Sequence, residues 1–540
     1  MKKIMFLTAA AVSCGLAWGT GRLPQPSIVS AQAGGAALYD WLTDGGDNAR
    51  TGWNRSEKRI TKDNVKNLKL LWKLETGNQV RALHSLMPVL VVGQLSTPAG
   101  TKQVGFVTGI SDNLYAFDVE TGKIIWKKHW DYPAPAGRGG GFGGQTPQDP
   151  ARLGFLQPGG SSDTPVIGPP DAQGRRPIYF VTGDGMLNTL DAATGEPLQP
   201  PFMFHTGKGW SLSLAGNVLW MANTYAGDTI SAVRLDDPSH KVMNFNAGSG
   251  GAWGRRGATI DSTGTAWSTT GDGIYDPTSD PPRYANSIVG VQVVGNELKL
   301  KDYYTPTNWD WLRKRDLDPN NTPTIFTYKG RELMAASGKE CRAYLLDPKS
   351  LGGADHQTPL YKTPLFCNEE VDFQDAGSWG AVSTWEDGSG TRWVLAPFWG
   401  PAHSRADFPI MNTPLTKEGG VAAFKVEERG GKLQLTPAWI SRDMHRGEPV
   451  IIANGVVFGY GSGESTRQAW EDIGLQFDSS IRAAKGTRAT IYALDAQTGK
   501  ELWSSGDQIH QWNHFSGLTV ANGRVYLGTY DGTLYCFGLP

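Results

Sequence analysis

The sequence predicts an all-β chain folded as an eight-bladed β-propeller and closed by an N-terminal strand. Three observations carry this. A short phrase recurs, as LYAFDVETGKIIW at 114–126, LNTLDAATGEPL at 187–198 and IYALDAQTGKELW at 491–503. Each copy is an alternating strand, a tight D-x-x-T-G turn and the start of a second strand. Such a unit buries its apolar face only when copies stack. The last copy is cut short, and a strand without earlier partners stands near the other end of the chain.

In chain order, degenerate copies fill the gaps between the clear ones. They are ISAVRLDDPSHKV at 230–242, SIVGVQVVGNEL at 287–298, AYLLDPKSLGG at 343–353 and GVAAFKVEERGGKL at 420–433. VYLGTYDGTLYCFG at 525–538 ends where a turn and a further strand should follow, and it makes the count eight. The missing strand is expected from LKLLWKLETG at 68–77, which would complete the last blade and leave no exposed sheet edge. Blades of about 55–60 residues exceed a minimal blade of about 40–45. The surplus falls in loops at 131–164 and 460–489, and such rim loops commonly build or cover a site. The tryptophans after the repeated turn, Trp126 and Trp503, are expected to pack between blades.

Composition narrows the function. Net charge is −1 with 19% charged residues, so no basic footprint points to nucleic acid. Gly (69) and Pro (33) are abundant, as a fold rich in turns requires. Residues 1–33 read as a signal peptide, with Lys2 and Lys3, an apolar run from Ile4 to Trp18, and a cleavage site at Ala31-Gln32-Ala33. Residues 34–540 then form a single propeller domain. Ala11-Val12-Ser13-Cys14 offers a second reading, a loose lipobox with a lipid anchor at Cys14. The expected location is periplasmic or secreted, with no transmembrane span. In an oxidising compartment Cys341 and Cys367 could pair, leaving Cys536 over. No C-x-x-C-H is present, so no c-type haem is attached to this chain.

On these residues, and on the opening segment WLTDGGDNARTGWNRSEKRITKDNVKNLKLLWKLETG at 41–77, the chain resembles the quinoprotein alcohol dehydrogenases. These are eight-bladed propellers that hold pyrroloquinoline quinone (PQQ) and calcium on the axis. The resemblance implies roles residue by residue. Trp253, in Gly250-Gly251-Ala252-Trp253-Gly254, would form the floor under the flat quinone. Asp272, in Thr270-Gly271-Asp272-Gly273, stands where the family has a calcium-binding Asn, and a carboxylate is as good a hard ligand. Asp310, in Trp309-Asp310-Trp311, would be the catalytic base and, with Asp272 and Asp228, a ligand of the metal. Lys339 would touch the quinone oxygens, and Trp379, in Ser378-Trp379-Gly380, would lie close to the site. Asp316 and Asp318 read as a polar, solvent-facing loop.

Three departures qualify the resemblance. An adjacent Cys-Cys pair is absent. The expected calcium-binding Glu is missing from 223–228, where Asp228 is the nearest carboxylate, and no carboxylate pair marks a lanthanide-using version. A late blade starts with His445-Arg446-Gly447-Glu448 in place of Trp-Gly-Gly, so polar groups replace a second aromatic wall. Two functions follow. One is an exported PQQ-dependent dehydrogenase that oxidises a small-molecule alcohol, with Asp310 deprotonating it, and passes electrons to a separate cytochrome or other acceptor. The alternative is a non-catalytic periplasmic scaffold similar to the lipoprotein propeller of outer-membrane assembly.

Overall fold

In the repeated turn, the leading Asp and the closing Gly divide the work. Asp118 Oδ1 accepts the backbone N–H of Glu120 (3.0 Å) and Thr121 (3.2 Å), and Asp495 Oδ1 does the same for Gln497 (2.9 Å) and Thr498 (3.0 Å). Gly122, Gly195 and Gly499 sit at φ near +70° (69°, 73° and 70°), the left-handed region open to glycine. The computed structural model describes residues 37–79, 85–132, 163–205, 208–224, 227–248, 250–369, 376–414, 416–464 and 483–540. The proposed signal peptide, Cys14 and the Gly-rich stretch 137–144 lie outside them.

Eight antiparallel sheets carry the eight copies in order. Blade 1 runs from Leu90–Thr97 to Ile124–His129, blade 2 from Val166–Ile167 to Pro197–Met203, and blade 3 from Ser213–Ala215 to Val242–Phe245. Blade 4 runs from Ala252–Trp253 to Glu297–Tyr304 and blade 5 from Thr324–Tyr328 to Tyr361–Lys362. Blade 6 runs from Ser383–Glu386 to Lys432–Ile440 and blade 7 from Ile451–Ala453 to Glu501–Ser504. Blade 8 has three C-terminal strands, ending with Thr533–Gly538, and takes its outermost strand from Lys69–Glu75. The expected closure of the ring is therefore observed. Among the described residues no helix is long and apolar enough to cross a membrane.

Tryptophans join neighbouring blades through the repeated turn. Trp126 of blade 1 donates its indole N–H to Ala192 of blade 2 (3.0 Å), Trp439 of blade 6 to Ala496 of blade 7 (3.2 Å), and Trp72 of blade 8 to Val119 of blade 1 (3.0 Å). Each ring lies on the glycine of the turn it reaches, so closely that a Cβ on Gly122, Gly195 or Gly499 would meet it at 2.4–2.9 Å. Trp503 bonds the Leu68 carbonyl beside the closing strand (3.1 Å).

The segment before the closing strand does more than lead into it. Residues 41–54 touch every blade in order at or beside its inner strand, which in blade 4 is Thr259–Ile260. Trp41 pairs with Val91, Leu42 accepts from Ile167, and Thr43 donates to Leu212. Asn48 accepts from Ile260, Ala49 from Ile325, Thr51 from Thr384 and Gly52 from Ile452, and Asn54 donates to Val520. Arg50 and Arg256, both buried, lock this strap. Arg50 donates to the carbonyls of Ala258 (3.2 Å) and Leu212 (2.8 Å), and Arg256 to those of Arg50 (3.2 Å), Val382 (3.2 Å) and Val450 (2.8 Å). Cys341 and Cys367 are joined in a disulfide with a Cα–Cα distance of 5.3 Å, and Cys536 is a buried free thiol.

Candidate functional site

The approaches to blades 4 and 5 meet at one point. The strand Ala252–Trp253 brings a half-buried indole there. Beside it, the 270–273 turn is drawn in by backbone bonds from Gly271 N–H to the carbonyls of Gly250 (3.2 Å) and Gly251 (3.0 Å). A Cβ on Gly271 would lie 2.4 Å from Trp253 Nε1, so only glycine lets the turn rest against the ring. Asn286 brackets the turn from the other side, donating its N–H to the Gly271 carbonyl (3.0 Å) and its side-chain amide to that of Gly273 (3.2 Å). The Asp272 carboxylate is thereby presented beside the indole.

Asp316 and Asp318 reach the same point from the run before blade 5, and oxygens of Asp272, Asp316 and Asp318 all lie within 4.8 Å of one another. Lys339 joins them from the turn between the second and third strands of blade 5. Its ammonium lies 2.6 Å from an oxygen of Asp316 and 2.6 Å from one of Asp318, and 5.9 Å from the centre of the Trp253 ring. Asp318 retains 2% of its side-chain exposure and Lys339 7%, whereas Asp316 keeps 41%. Burial and the charge of Asp318 hold the Asp272 carboxyl well above the usual carboxylate range, and burial also raises Asp318. Lys339 is held charged by Asp316, Asp318 and Asp272 against the cost of its burial.

The structure thus brings together three of the residues expected at the site, Trp253, Asp272 and Lys339. The solvent-facing reading is corrected for Asp318: the chain turns inward after Arg315, and Leu317 and Asp318 are buried, while Asp316 stays part-exposed and joins the cluster. Their signal was positional. Asp318 lies six residues before Thr324–Tyr328 of blade 5, as Trp253 lies six residues before Thr259–Ile260 of blade 4, so an alignment of the blades would have set them side by side. Asp310 lies on a five-residue helix, Trp309–Arg313, with 43% of its side chain exposed. Its carboxylate is bonded to Lys314 (2.6 Å) and Arg313 (2.7 Å), which hold its pKa below the usual range. Asp228 is half-buried and does not belong to the three-carboxylate cluster.

Trp379 is buried in an aromatic pile, 3.7 Å from Phe515 and 5.6 Å from Trp399 between ring centres. Trp210 links that pile to Trp253, at 6.1 Å from Phe515 and 5.7 Å from Trp253. The polar replacement at the start of blade 7 is internally paired. Arg446 lies 3.5 Å from the centre of the Trp399 ring and is ion-paired with Glu464, which also contacts His514 Nδ1 at 2.5 Å. The two oxygens of Glu448 lie 3.2 and 3.4 Å from Trp379 Nε1.

The donor set fits a hard cation. Three carboxylates converge, and Asp272 Oδ1 is buried without a hydrogen-bond partner. The half-buried face of Trp253 fits a flat ring system.

Comparison with known proteins agrees with the fold. Residues 41–202 match the family described as glucose/ethanol/alcohol dehydrogenase, beta-propeller domain, and residues 474–538 match outer membrane protein assembly factor BamB. Among solved structures, the quinohemoprotein alcohol dehydrogenase from Comamonas testosteroni is 16% identical (TM-score 0.55), with 93% of this chain and 80% of that one covered. A europium-containing methanol dehydrogenase is 14% identical (TM-score 0.56), with 93% and 98% covered. The quinohemoprotein alcohol dehydrogenase ADHIIG from Pseudomonas putida HK5 is 13% identical (TM-score 0.53), with 93% and 80% covered. No curated protein sequence matches the chain. The chain has the eight-bladed propeller fold of the quinoprotein alcohol and methanol dehydrogenases.

Proposed function

We propose that this chain is an exported PQQ-dependent dehydrogenase that oxidises an alcohol-type substrate. The observation that carries the reading is the meeting of Trp253, Lys339 and the carboxylates of Asp272, Asp316 and Asp318 at one point of a quinoprotein-type propeller. Trp253 would support the quinone ring, and Asp272 and Asp318, the more enclosed carboxylates, would hold calcium. A lanthanide is the other hard cation to test, since one structural neighbour is a europium-containing enzyme. When bound, the quinone and its cation supply the hydride acceptor and the Lewis acid that polarises it. Asp316 is the carboxylate that an alcohol can reach, and it would take the hydroxyl proton while Lys339 stabilises negative charge beside it. This moves the base from Asp310, whose carboxylate is engaged by Arg313 and Lys314. Electrons would leave to a separate cytochrome or other acceptor, and the N-terminal segment read as an export signal would put the reaction in the periplasm or outside the cell, with Cys14 as the anchor in a lipidated form.

Reconstitution with PQQ and calcium, followed by dye-linked oxidation of a panel of primary alcohols, tests this. Asp316→Asn is expected to lower kcat about 10²–10⁴-fold, while Asp310→Asn keeps most activity. Equal loss in both variants would return the base role to Asp310. The match of 474–538 to an assembly factor supports the second reading, a scaffold without catalysis. No binding of PQQ at micromolar concentration, with or without metal, would favour it.

A further inference from the structure

The lysine in this site does something that a residue reserved for the quinone need not do: it sits among the carboxylates. Lys339 Nζ lies 2.6 Å from Asp316 and 2.6 Å from Asp318, and Asp272 belongs to the same cluster of carboxylates. A buried carboxylate cluster without a counter-cation is costly, because like charges repel and water is excluded. Lys339 supplies that cation from within the chain.

The backbone beneath Lys339 is clamped while its side chain is long. Its N–H donates to the Asp318 carbonyl (3.3 Å), and its own carbonyl accepts from Asn368 Nδ2 (3.1 Å). Two residues on, Cys341 is tied by the disulfide to Cys367, the neighbour of Asn368. Gly377 packs close behind, where an added Cβ would stand 3.1 Å from the Lys339 carbonyl oxygen. What can move is the aminobutyl chain, whose ammonium already stands over the Trp253 ring, 5.9 Å from its centre, and can close onto it.

We propose that Lys339 is the resident cation of the Asp272, Asp316 and Asp318 cluster before metal arrives, so that loading is an exchange. The metal ion displaces the ammonium from the carboxylates, and the side chain swings to the Trp253 face, where the quinone is expected. Cation loading therefore precedes, and favours, quinone binding. This rests on the proposed dehydrogenase reading, because the cation and the quinone come from it.

Terbium(III) luminescence sensitised by Trp253 reports cation binding on the full chain without turnover. Removing a competing positive charge a few ångströms from the ion is expected to tighten terbium binding at least about tenfold in Lys339→Met. Lys339→Arg, which keeps the charge, stays near the parent value. Equal or weaker binding in Lys339→Met would overturn the exchange while leaving the metal site standing. A signal that survives the combined Asp272→Asn and Asp318→Asn variant comes from elsewhere and overturns the assignment. Absence of any terbium signal in the parent and in Lys339→Met removes the metal site and the exchange together. Quinone binding, followed by quenching of Trp253 fluorescence, should tighten on cation loading in the parent and lose that dependence in Lys339→Met. Cation dependence of equal size in both would defeat the ordered loading.

Discussion

Glu448 shows how one side chain records the chemistry of the axis. It is fully enclosed, and burial pushes its carboxyl up to about 8 despite the nearby Arg446 and Arg255; Glu464 pushes it further in the same direction. The folded state therefore holds this proton more tightly than the unfolded chain, where a glutamate titrates near pH 4.3. Between those values the folded protein carries the extra proton, so this group's contribution to stability falls as pH rises, by at most about 1.4 kcal/mol per pH unit. Melting temperature measured from pH 5 to pH 8 should drop by a few degrees more in the parent than in Glu448→Gln, where Trp379 keeps an acceptor. Parallel curves would show that Glu448 is ionised throughout. Legibility at this scale was uneven for a physical reason. Trp253 and Lys339 were readable because an aromatic face and a cation have few substitutes in their proposed roles. Asp272 was readable because its turn has a fixed form. Asp310 drew attention through its tryptophan neighbours, yet sequence spacing does not show that Arg313 and Lys314, one turn further along a short helix, take its carboxylate. Asp316 and Asp318 sit among charged residues and read as solvent-exposed, and only the inward turn of the chain reveals Asp318 as buried.

At the scale of the strand and turn, almost everything was legible, because each repeated copy has to satisfy the same constraints. The D-x-x-T-G turn needs an acceptor for its N–H groups and a residue with positive φ, and the three clear copies supply both. Less visible was a second demand on the same glycine, which must also accept the tryptophan of the preceding blade. Gly195→Ala tests that demand, since its φ is +73° and a Cβ would meet Trp126 at 2.9 Å. Gly174 provides the control, with φ +79° and open space around a Cβ. Gly174→Ala is expected to cost about 1–2 kcal/mol from the left-handed backbone, and Gly195→Ala about 1–2 kcal/mol more from the displaced indole and its bond to Ala192. Chemical denaturation of the two variants measures the difference. Equal losses would mean that Trp126 moves aside freely and that the blades are joined elsewhere. Degenerate copies such as VRLDDPSH at 233–240 remain recognisable because strand alternation survives the loss of the Gly; His240 takes the positive φ (48°) there, and Phe202 of the preceding blade stacks on its ring at 4.2 Å.

The whole molecule is governed by a segment whose pattern contains neither strand alternation nor helical period. A ring of stacked blades with only neighbour contacts should unfold in stages, as other repeat arrays do when their cooperativity breaks down. Here residues 41–54 bond to all eight blades, and the closing strand Lys69–Glu75 joins the first part of the chain to the last. The closing strand was foreseeable, since an unpartnered strand and a truncated copy call for one another. The strap was not, because its bonds go from an irregular backbone to eight distant strands and leave no periodic trace. Its consequence is thermodynamic: no blade can leave the ring without breaking a contact shared with the others. One sharp calorimetric transition is therefore expected for the intact protein. Arg256→Met, which strips its donors from the Arg50 and Val382 carbonyls and leaves Val450 only the Ser383 hydroxyl, should lower stability by about 3–5 kcal/mol, because buried polar groups lose their partners. It should keep a single transition, since the strap's own backbone bonds persist. A chain lacking residues 41–54 but retaining the closing strand should instead melt over a broad range, with a van't Hoff enthalpy well below the calorimetric one. If that shortened chain still melts sharply, the tryptophan contacts between blades are sufficient to unify the ring without the strap.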